Sequence, residues 1–139
     1  MSGCDVCGFQ LWTPVATLGV SQLSLYDDSR FPGRCILMLN DHHEELDELE
    51  EGLLLKFMKD IQLASKAIKV VTGSRRVNVA VLGNAVAHVH AHLIPRFPEQ
   101  EPNPSQSPWN DTREKTLLQA EVKELLVQQL RDIVYQQLV

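Results

Sequence analysis

Apolar and polar residues alternate most regularly over residues 83–96, where His88, His90 and His92 occupy every second position. The residues between them are small or branched apolar ones. Strict alternation is typical of a strand with one buried face, since successive strand side chains point to opposite sides. The pattern therefore predicts a strand that carries three imidazoles on one face. Their row spans about 13 Å, enough for one extended polar substrate, or for a metal and a substrate.

Three shorter segments predict further strands: residues 20–26, Cys35–Leu39 and residues 77–82. Gly83 and Asn84 follow the last of them and predict a hairpin turn into the histidine strand. We expect Cys35–Leu39 to lie beside the histidine strand, because both are apolar and belong to one sheet.

Prolines and glycines indicate where regular structure is interrupted. Residues 11–20 contain two such breakers and predict a loop, and Pro32 with Gly33 predicts a turn. The segment of about residues 95–109 is rich in proline and polar residues, so we expect a lid or docking arm anchored by Trp109.

Apolar residues recur at helical spacing in two long segments. Glu51–Thr72 predicts one helix, which Gly73 should terminate, and residues 112–138 predict a C-terminal helical segment. A further helical start is predicted after Asn40 and Asp41, and it continues to Leu49.

This order of elements predicts an α+β fold, in which a long central helix and a C-terminal helix pack on an antiparallel sheet. The 139 residues form a single domain, and 44% of them are hydrophobic, as is ordinary for a globular protein. The net charge of -5 gives no general attraction for nucleic acid or for an anionic membrane. No apolar run reaches the ~18 residues of a membrane span. The odd number of cysteines, three, argues against a secreted disulfide framework and predicts a cytoplasmic protein.

Cys4 and Cys7 form a Cys-x-x-Cys motif, which can be half of a zinc site, a redox pair or a coincidence. A redox pair follows a strand, and only three residues precede Cys4. Zinc requires two more ligands, which the histidines at 42–43 and 88–92 can supply. We therefore predict a structural zinc ion.

The segment from His88 to Ile94 resembles the His-φ-His-φ-His-φ-φ motif of the histidine triad family of nucleotide hydrolases and transferases. Flanking residues resemble the branch that hydrolyses diadenosine polyphosphates. They are Asn78, Gly83, Asn84, Pro95, Arg96, the run Arg30-Phe31-Pro32-Gly33 and the N-terminal Cys-x-x-Cys. The resemblance covers residues 4 to about 109 and implies a nucleotide substrate.

The resemblance implies roles for the residues at matching positions. His90 would attack the α-phosphorus and form a nucleotidyl-histidine that water cleaves, and His92 would bind the phosphate and protonate the leaving group. Asn78 and Asn84 resemble the polar phosphate contacts of the family, and Asp28 resembles its ribose ligand. No catalytic metal is required.

The resemblance also implies a zinc site made of Cys4, Cys7, His42 and His88, with His43 one residue out of register. It further implies a homodimer.

Arg34 departs from the family pattern, because many members have histidine directly after Pro-Gly. Arginine can hold a phosphate by two hydrogen bonds, so we expect Arg34 to contribute to phosphate binding.

Two other functions fit the residues. One is a zinc-stabilised nucleotide-binding module without turnover. The other is a metallohydrolase in which His88, His90 and His92 all bind a catalytic zinc ion. That second function leaves the two cysteines unexplained.

Overall fold

The apolar run Cys35–Leu39 forms the middle strand of a five-stranded sheet in which every neighbouring pair is antiparallel. The strands lie side by side in the order Pro14–Thr17, Ser21–Leu25, Cys35–Leu39, His90–Pro95 and Val77–Ala80. The computed structural model describes residues 3–138, so residues 1, 2 and 139 of the predicted domain lie outside it. The strands are β1 (Pro14–Thr17), β2 (Ser21–Leu25), β3 (Cys35–Leu39), β4 (Val77–Ala80) and β5 (His90–Pro95).

One face of the sheet is covered by helix α1, Glu51–Thr72. Leu23, Leu37 and Ala91 are paired across β2, β3 and β5 and belong to the same buried core as the helix. The predicted helix is confirmed, including its end at Gly73, which adopts a left-handed conformation (φ 73°) that favours glycine. Residues at the alternate strand positions face away from α1 and are free to build a site.

Helix α2, Ala120–Leu138, packs against α1 and β1 through Leu126, Leu130 and Val134. The α+β fold with two helices on an antiparallel sheet is therefore confirmed. The helix begins later than the predicted segment 112–138, because the preceding residues bond to another part of the chain. Ser29 donates a main-chain hydrogen bond to Thr116 (2.8 Å).

The predicted loop over residues 11–20 is wrong, because Pro14–Thr17 forms strand β1 at the edge of the sheet. An edge strand tolerates proline, which lacks a main-chain donor, and β1 also carries an irregularity after Pro14. The turn from β1 to β2 is held by Asp60 of α1. Its carboxylate accepts hydrogen bonds from the main-chain amides of Gly19 and Val20 and from the hydroxyl of Ser21.

The helix predicted from residue 42 to 49 is also wrong. Only Leu46–Glu48 forms a short 3-10 helix, and α1 begins later, where the side chain of Glu50 accepts from the amide of Leu53 (2.7 Å). The main chain at residue 43 is instead bonded to the approach to β5, since the Val89 amide donates to the His43 carbonyl (2.8 Å). This contact brings the 42–43 segment to the histidines.

Strands β4 and β5 are antiparallel neighbours as predicted, but residues 81–89 form a longer connection in place of a tight turn at Gly83 and Asn84. Strand β5 begins at His90, so His88 precedes it and lies outside the regular strand. The row of three imidazoles predicted from alternation is therefore a pair plus one residue that belongs to the connection.

The helices found within residues 3–138 are all too short or too polar to cross a membrane.

Candidate active site and metal site

His90 is the first residue of β5 and is buried, and its ring is held by the main chain two residues before it. Its Nδ1 lies 2.6 Å from the main-chain oxygen of His88. Because a carbonyl oxygen can only accept, Nδ1 carries a proton and donates it. The other nitrogen, Nε2, is left with a free lone pair in the neutral ring, which makes it available as a nucleophile.

The pairing of β3 with β5 positions both strand histidines on the face of the sheet opposite α1. Met38 pairs with His90 and Ile36 pairs with His92. The two imidazole rings are 5.3 Å apart between centroids. Phe9 of the N-terminal segment packs against the His90 ring, with 5.0 Å between the ring centroids.

His92 is surrounded by Arg34, Tyr26 and Trp109. Arg34 Nη2 lies 3.3 Å from His92 Nδ1, and the rings of Tyr26 and Trp109 lie 6.2 and 5.3 Å from the imidazole. Burial, the positive charge of Arg34 and the nearby His90 lower the pKa of His92 to about 4. The ring is therefore neutral at pH 7, and its predicted role as a proton donor stays a prediction.

Arg34 and Asp28 are both buried and bonded to each other, with Arg34 Nη1 3.0 Å from Asp28 Oδ2. Arg30 donates to the same carboxylate from Nε and Nη2. Burial alone would raise the pKa of Asp28, but the hydrogen bonds from Arg30 and the charge of Arg34 outweigh it, and the pKa is lowered. Arg34 thus lies beside His92, with its donors directed at Asp28 and His92, and its predicted role in phosphate binding stays a prediction.

The two predicted asparagines occupy different environments. Asn78 in β4 accepts a hydrogen bond from Arg96 Nη1 at its Oδ1 (2.7 Å), which turns its amide nitrogen away from that arginine. Arg96 is itself held by Glu101 in a buried ion pair, which ties the proline-rich segment to the sheet. Asn84 lies exposed in the 81–89 connection.

Cys4, Cys7, His42 and His88 converge to form a candidate metal site, and their donor atoms all lie within 4.8 Å of one another. His42 Nδ1 is 3.2 Å from His88 Nδ1, Cys7 Sγ is 3.4 Å from His88 Nδ1, and Cys4 Sγ is 3.7 Å from His42 Nδ1. His43, the other candidate, lies apart beside Glu48.

These three donor–donor distances match edges of a tetrahedral zinc site. With ordinary zinc–nitrogen and zinc–sulfur bonds, the edges of the tetrahedron are about 3.3 Å between two nitrogens and about 3.6 Å between nitrogen and sulfur. The protonation states also fit. His88 Nε2 donates to the carbonyl of Leu39 (2.7 Å), which leaves the Nδ1 lone pair for a metal.

The electrostatics of the ligands point the same way. A hydrogen bond from the main-chain amide of Cys7 is the main cause that lowers the pKa of the Cys4 thiol to about 7. Burial lowers the pKa of His88, against a hydrogen bond to Leu39 that raises it. Thiolate and neutral imidazole are the forms that bind metals. The third thiol, Cys35, is enclosed in the core, and burial raises its pKa.

Sequence reasoning missed several residues that shape the site, namely Phe9, Tyr26 and Glu101. Tyr26 could have been found, because it ends a predicted strand two residues before Asp28. Phe9 and Glu101 lie in irregular segments without periodicity, so no local pattern marks them.

The comparisons with known proteins agree with this geometry. The HIT domain family model matches residues 19–99. An uncharacterized HIT-like protein of Methanocaldococcus jannaschii is 30% identical over 73 residues, which are 49% of this chain and 56% of that relative. The match thus spans little more than half of the relative's length.

Solved structures share the fold. A histidine triad protein from Sinorhizobium meliloti 1021 is 26% identical with a TM-score of 0.77, over 86% of this chain and 87% of that one. The Plasmodium falciparum diadenosine triphosphate hydrolase is 16% identical with a TM-score of 0.62, over 92% and 79% of the two chains.

Proposed function

This chain belongs to the HIT domain family, and we propose on that premise that it is a nucleotide hydrolase with His90 as its nucleophile. The substrate class is a dinucleoside polyphosphate or a nucleoside phosphoramidate, attacked at the α-phosphate. The observation that supports this most directly is the 2.6 Å hydrogen bond from His90 Nδ1 to the His88 carbonyl.

In the first step, the lone pair of His90 Nε2 forms a bond to the α-phosphorus as the bond from phosphorus to the leaving group breaks. The electron pair departs with the leaving group. The imidazole becomes positively charged, because it keeps the proton on Nδ1. The carbonyl oxygen of His88 accepts the hydrogen bond from Nδ1–H throughout the step. This hydrogen bond becomes stronger as positive charge develops on the imidazole.

In the second step, a water molecule attacks phosphorus and the bond to His90 Nε2 breaks. One water proton is released and the imidazole returns to its neutral form, so the enzyme is regenerated. His92 Nε2 and the amide nitrogens of Asn78 and Asn84 are the proposed donors to the phosphate oxygens, and Asp28 is the proposed ribose contact. Dividing one hydrolysis into two displacements lowers the barrier of each.

We further propose that Cys4, Cys7, His42 and His88 hold a structural zinc ion. Bound zinc would supply folding free energy and would join the N-terminal segment to the start of β5. His90 and His92 have other partners, the His88 carbonyl and Arg34, and their rings do not join the cysteine cluster. This arrangement speaks against the metallohydrolase in which all three histidines bind one catalytic zinc.

The remaining alternative is a zinc-stabilised nucleotide-binding module without turnover. Product release separates it from the hydrolase. The protein would be incubated with a panel of dinucleoside polyphosphates, nucleoside phosphoramidates and adenylylated metabolites, and the nucleoside monophosphate released would be quantified. Binding without release would support the module.

His90→Gly should reduce turnover at least about a thousandfold and leave nucleotide affinity largely unchanged, because the nucleophile is lost but the phosphate donors remain. Rapid quenching followed by mass spectrometry should detect a nucleotidyl adduct on the parent protein and none on the variant. His43→Gly is the matched control, since it removes a histidine outside the site. Turnover of His90→Gly within about tenfold of the parent would rule out the covalent role.

We also propose a homodimer, which the family resemblance implies, and a cytoplasmic location, which the odd number of cysteines favours. Light scattering of the purified chain tests the assembly, and a monomeric mass would refute it.

A further inference from the structure

Arg34 is the residue at which this chain leaves the family pattern, and its side chain is held on every side. Nη1 donates to Asp28 Oδ2 at 3.0 Å, and the guanidinium stacks on the ring of Tyr26 with its carbon 3.9 Å from the centroid. Trp109 lies on a second side at 5.5 Å. The residue is only 5% exposed. A group fixed in this way cannot swing out to follow a substrate.

The remaining contact of Arg34 is with His92. Nη2 lies 3.3 Å from Nδ1 of the imidazole. A guanidinium has only donors and stays protonated in proteins. Nδ1 of His92 must therefore be the acceptor, and in a neutral ring the proton then resides on Nε2. We propose that Arg34 is a positioning residue that holds His92 as the neutral tautomer with its proton on Nε2.

Stability alone does not explain a buried arginine here. Its Nε is buried without a hydrogen-bond partner among residues 3–138. An unpaired buried donor of this kind destabilises the fold. Two other donors of the same guanidinium, Nη1 and Nη2, are directed at Asp28 and His92. This arrangement is expected if Arg34 serves the site and not the stability of the fold.

The charges around His92 act in the same direction. Arg34 faces it from the residue before β3 and His90 faces it from β5, and the uncharged rings of Tyr26 and Trp109 lie beside it. The anion bonded to Arg34, Asp28, is also bonded to Arg30. No anion lies among these neighbours to stabilise an imidazolium, in agreement with a pKa of His92 lowered to about 4.

This state of His92 has a consequence for the substrate class, which rests on the proposed hydrolase function. A neutral imidazole donates a hydrogen bond from Nε2 but is too weak an acid to surrender that proton. A phosphate leaving group departs as an anion and needs only the hydrogen bond, whereas an amine leaving group needs a proton. The site should therefore prefer phosphoric anhydrides, such as dinucleoside polyphosphates, over phosphoramidates.

The tautomer can be measured without substrate, by two-bond proton–nitrogen correlation spectra of the nitrogen-15-labelled, metal-loaded protein. The His92 signals are assigned by their loss in His92→Gln. We expect a protonated Nε2 and an unprotonated Nδ1 at neutral pH. In Arg34→Met the two nitrogens should move toward averaged tautomers, and the ring should titrate higher by about one pH unit or more.

Two further variants make the result specific. Arg30→Met removes an arginine from the same Asp28 carboxylate without touching His92, and should leave the His92 signals unchanged. Arg34→Lys keeps a positive charge and a donor, so it should restore the tautomer in part, and it serves as the test if Arg34→Met does not fold. A proton on Nδ1 in the parent, or His92 signals that are the same in Arg34→Met and the parent, would overturn the proposal.

The leaving-group preference is tested by the ratio of kcat/KM for a dinucleoside polyphosphate to kcat/KM for a phosphoramidate of the same nucleoside. We expect a ratio above about ten in the parent and in Arg30→Met, and a fall of about tenfold in Arg34→Met. An unchanged ratio in Arg34→Met would overturn the preference. If no substrate is turned over, the proposed function fails, and the nitrogen spectra still decide the role of Arg34.

Discussion

Three histidines that look alike in the sequence differ in the structure because each is held by a different group at its second nitrogen. His88 donates Nε2–H to the Leu39 carbonyl and offers Nδ1 to the cysteine cluster. His90 donates Nδ1–H to the carbonyl of His88 and keeps Nε2 free. His92 accepts at Nδ1 from Arg34. The chemistry available to each ring follows from that partner and not from its place in the motif.

The state of His92 makes a prediction about stability and pH. Its pKa is about 4 in the folded protein, below the ~6.5 of an exposed histidine. Between these values the unfolded chain binds more protons than the folded one, so the free energy of unfolding should fall as the pH is lowered through this window. Above about pH 6.5 this group should have no effect.

Urea unfolding of the parent and of His92→Gln at about pH 7 and about pH 5 measures this contribution. The parent should lose more stability than the variant, since only the parent carries the group. Any loss of metal in acid is common to both proteins and cancels in the comparison. Equal losses in the two proteins would contradict the depressed pKa.

At the scale of elements, α1 does more than cover the sheet. Asp60 reaches from the helix to the turn between β1 and β2, and its carboxylate receives three donors. This contact helps to explain why residues 14–17 form a strand that the sequence did not indicate. Local composition favours a loop there, and the stabilising partners lie about 40 residues further along the chain.

Asp60→Ala should therefore lower the free energy of unfolding by about 2–4 kcal/mol, because it leaves two main-chain amides and one hydroxyl without their acceptor. Urea unfolding of the variant gives this number. Asp47→Ala, which removes an exposed acid, is the control and should change stability by less than about 0.5 kcal/mol. A similarly small change in Asp60→Ala would show that water replaces the carboxylate.

The elements that the sequence predicted well are those whose structure is determined by local sequence pattern and not by contacts with distant residues. The periodicity and terminal glycine of Glu51–Thr72 specify that helix, and the continuous apolar run specifies Cys35–Leu39. Residues 42–49 carry a capping signal but bond to the approach to β5, so tertiary contacts override it. The same contacts place His88 before the strand, which alternation alone could not reveal.

At the scale of the whole molecule, the candidate site joins segments that are distant in sequence. Ligand chemistry indicated that histidines complete the cysteine pair, and the family resemblance selected His42 over His43, in agreement with the observed cluster. The link from Arg34 to His92 was not predictable, because it depends on the register between β3 and β5.

Purified protein should carry about one zinc ion per chain by elemental analysis, as four nitrogen and sulfur donors provide one tetrahedral site. Replacing Cys4 and Cys7 together by serine should release the metal and lower the melting temperature by about 5 °C or more. His42→Ala should also release it, and His43→Ala should retain it. A metal-free protein that is equally stable and active would refute the zinc site.

His88 has two roles in the proposed site: its side chain belongs to the candidate metal cluster, and its main-chain oxygen orients the proposed nucleophile, His90. Removing a metal from the cluster would therefore disturb His90, although the proposed displacement does not use a metal. Loss of activity in a chelator, the usual diagnosis of a metalloenzyme, would be misleading for such a protein. The rate at which activity is lost would distinguish a structural metal from a catalytic one. With a structural metal, activity would be lost only as the chain around residues 88–90 rearranges.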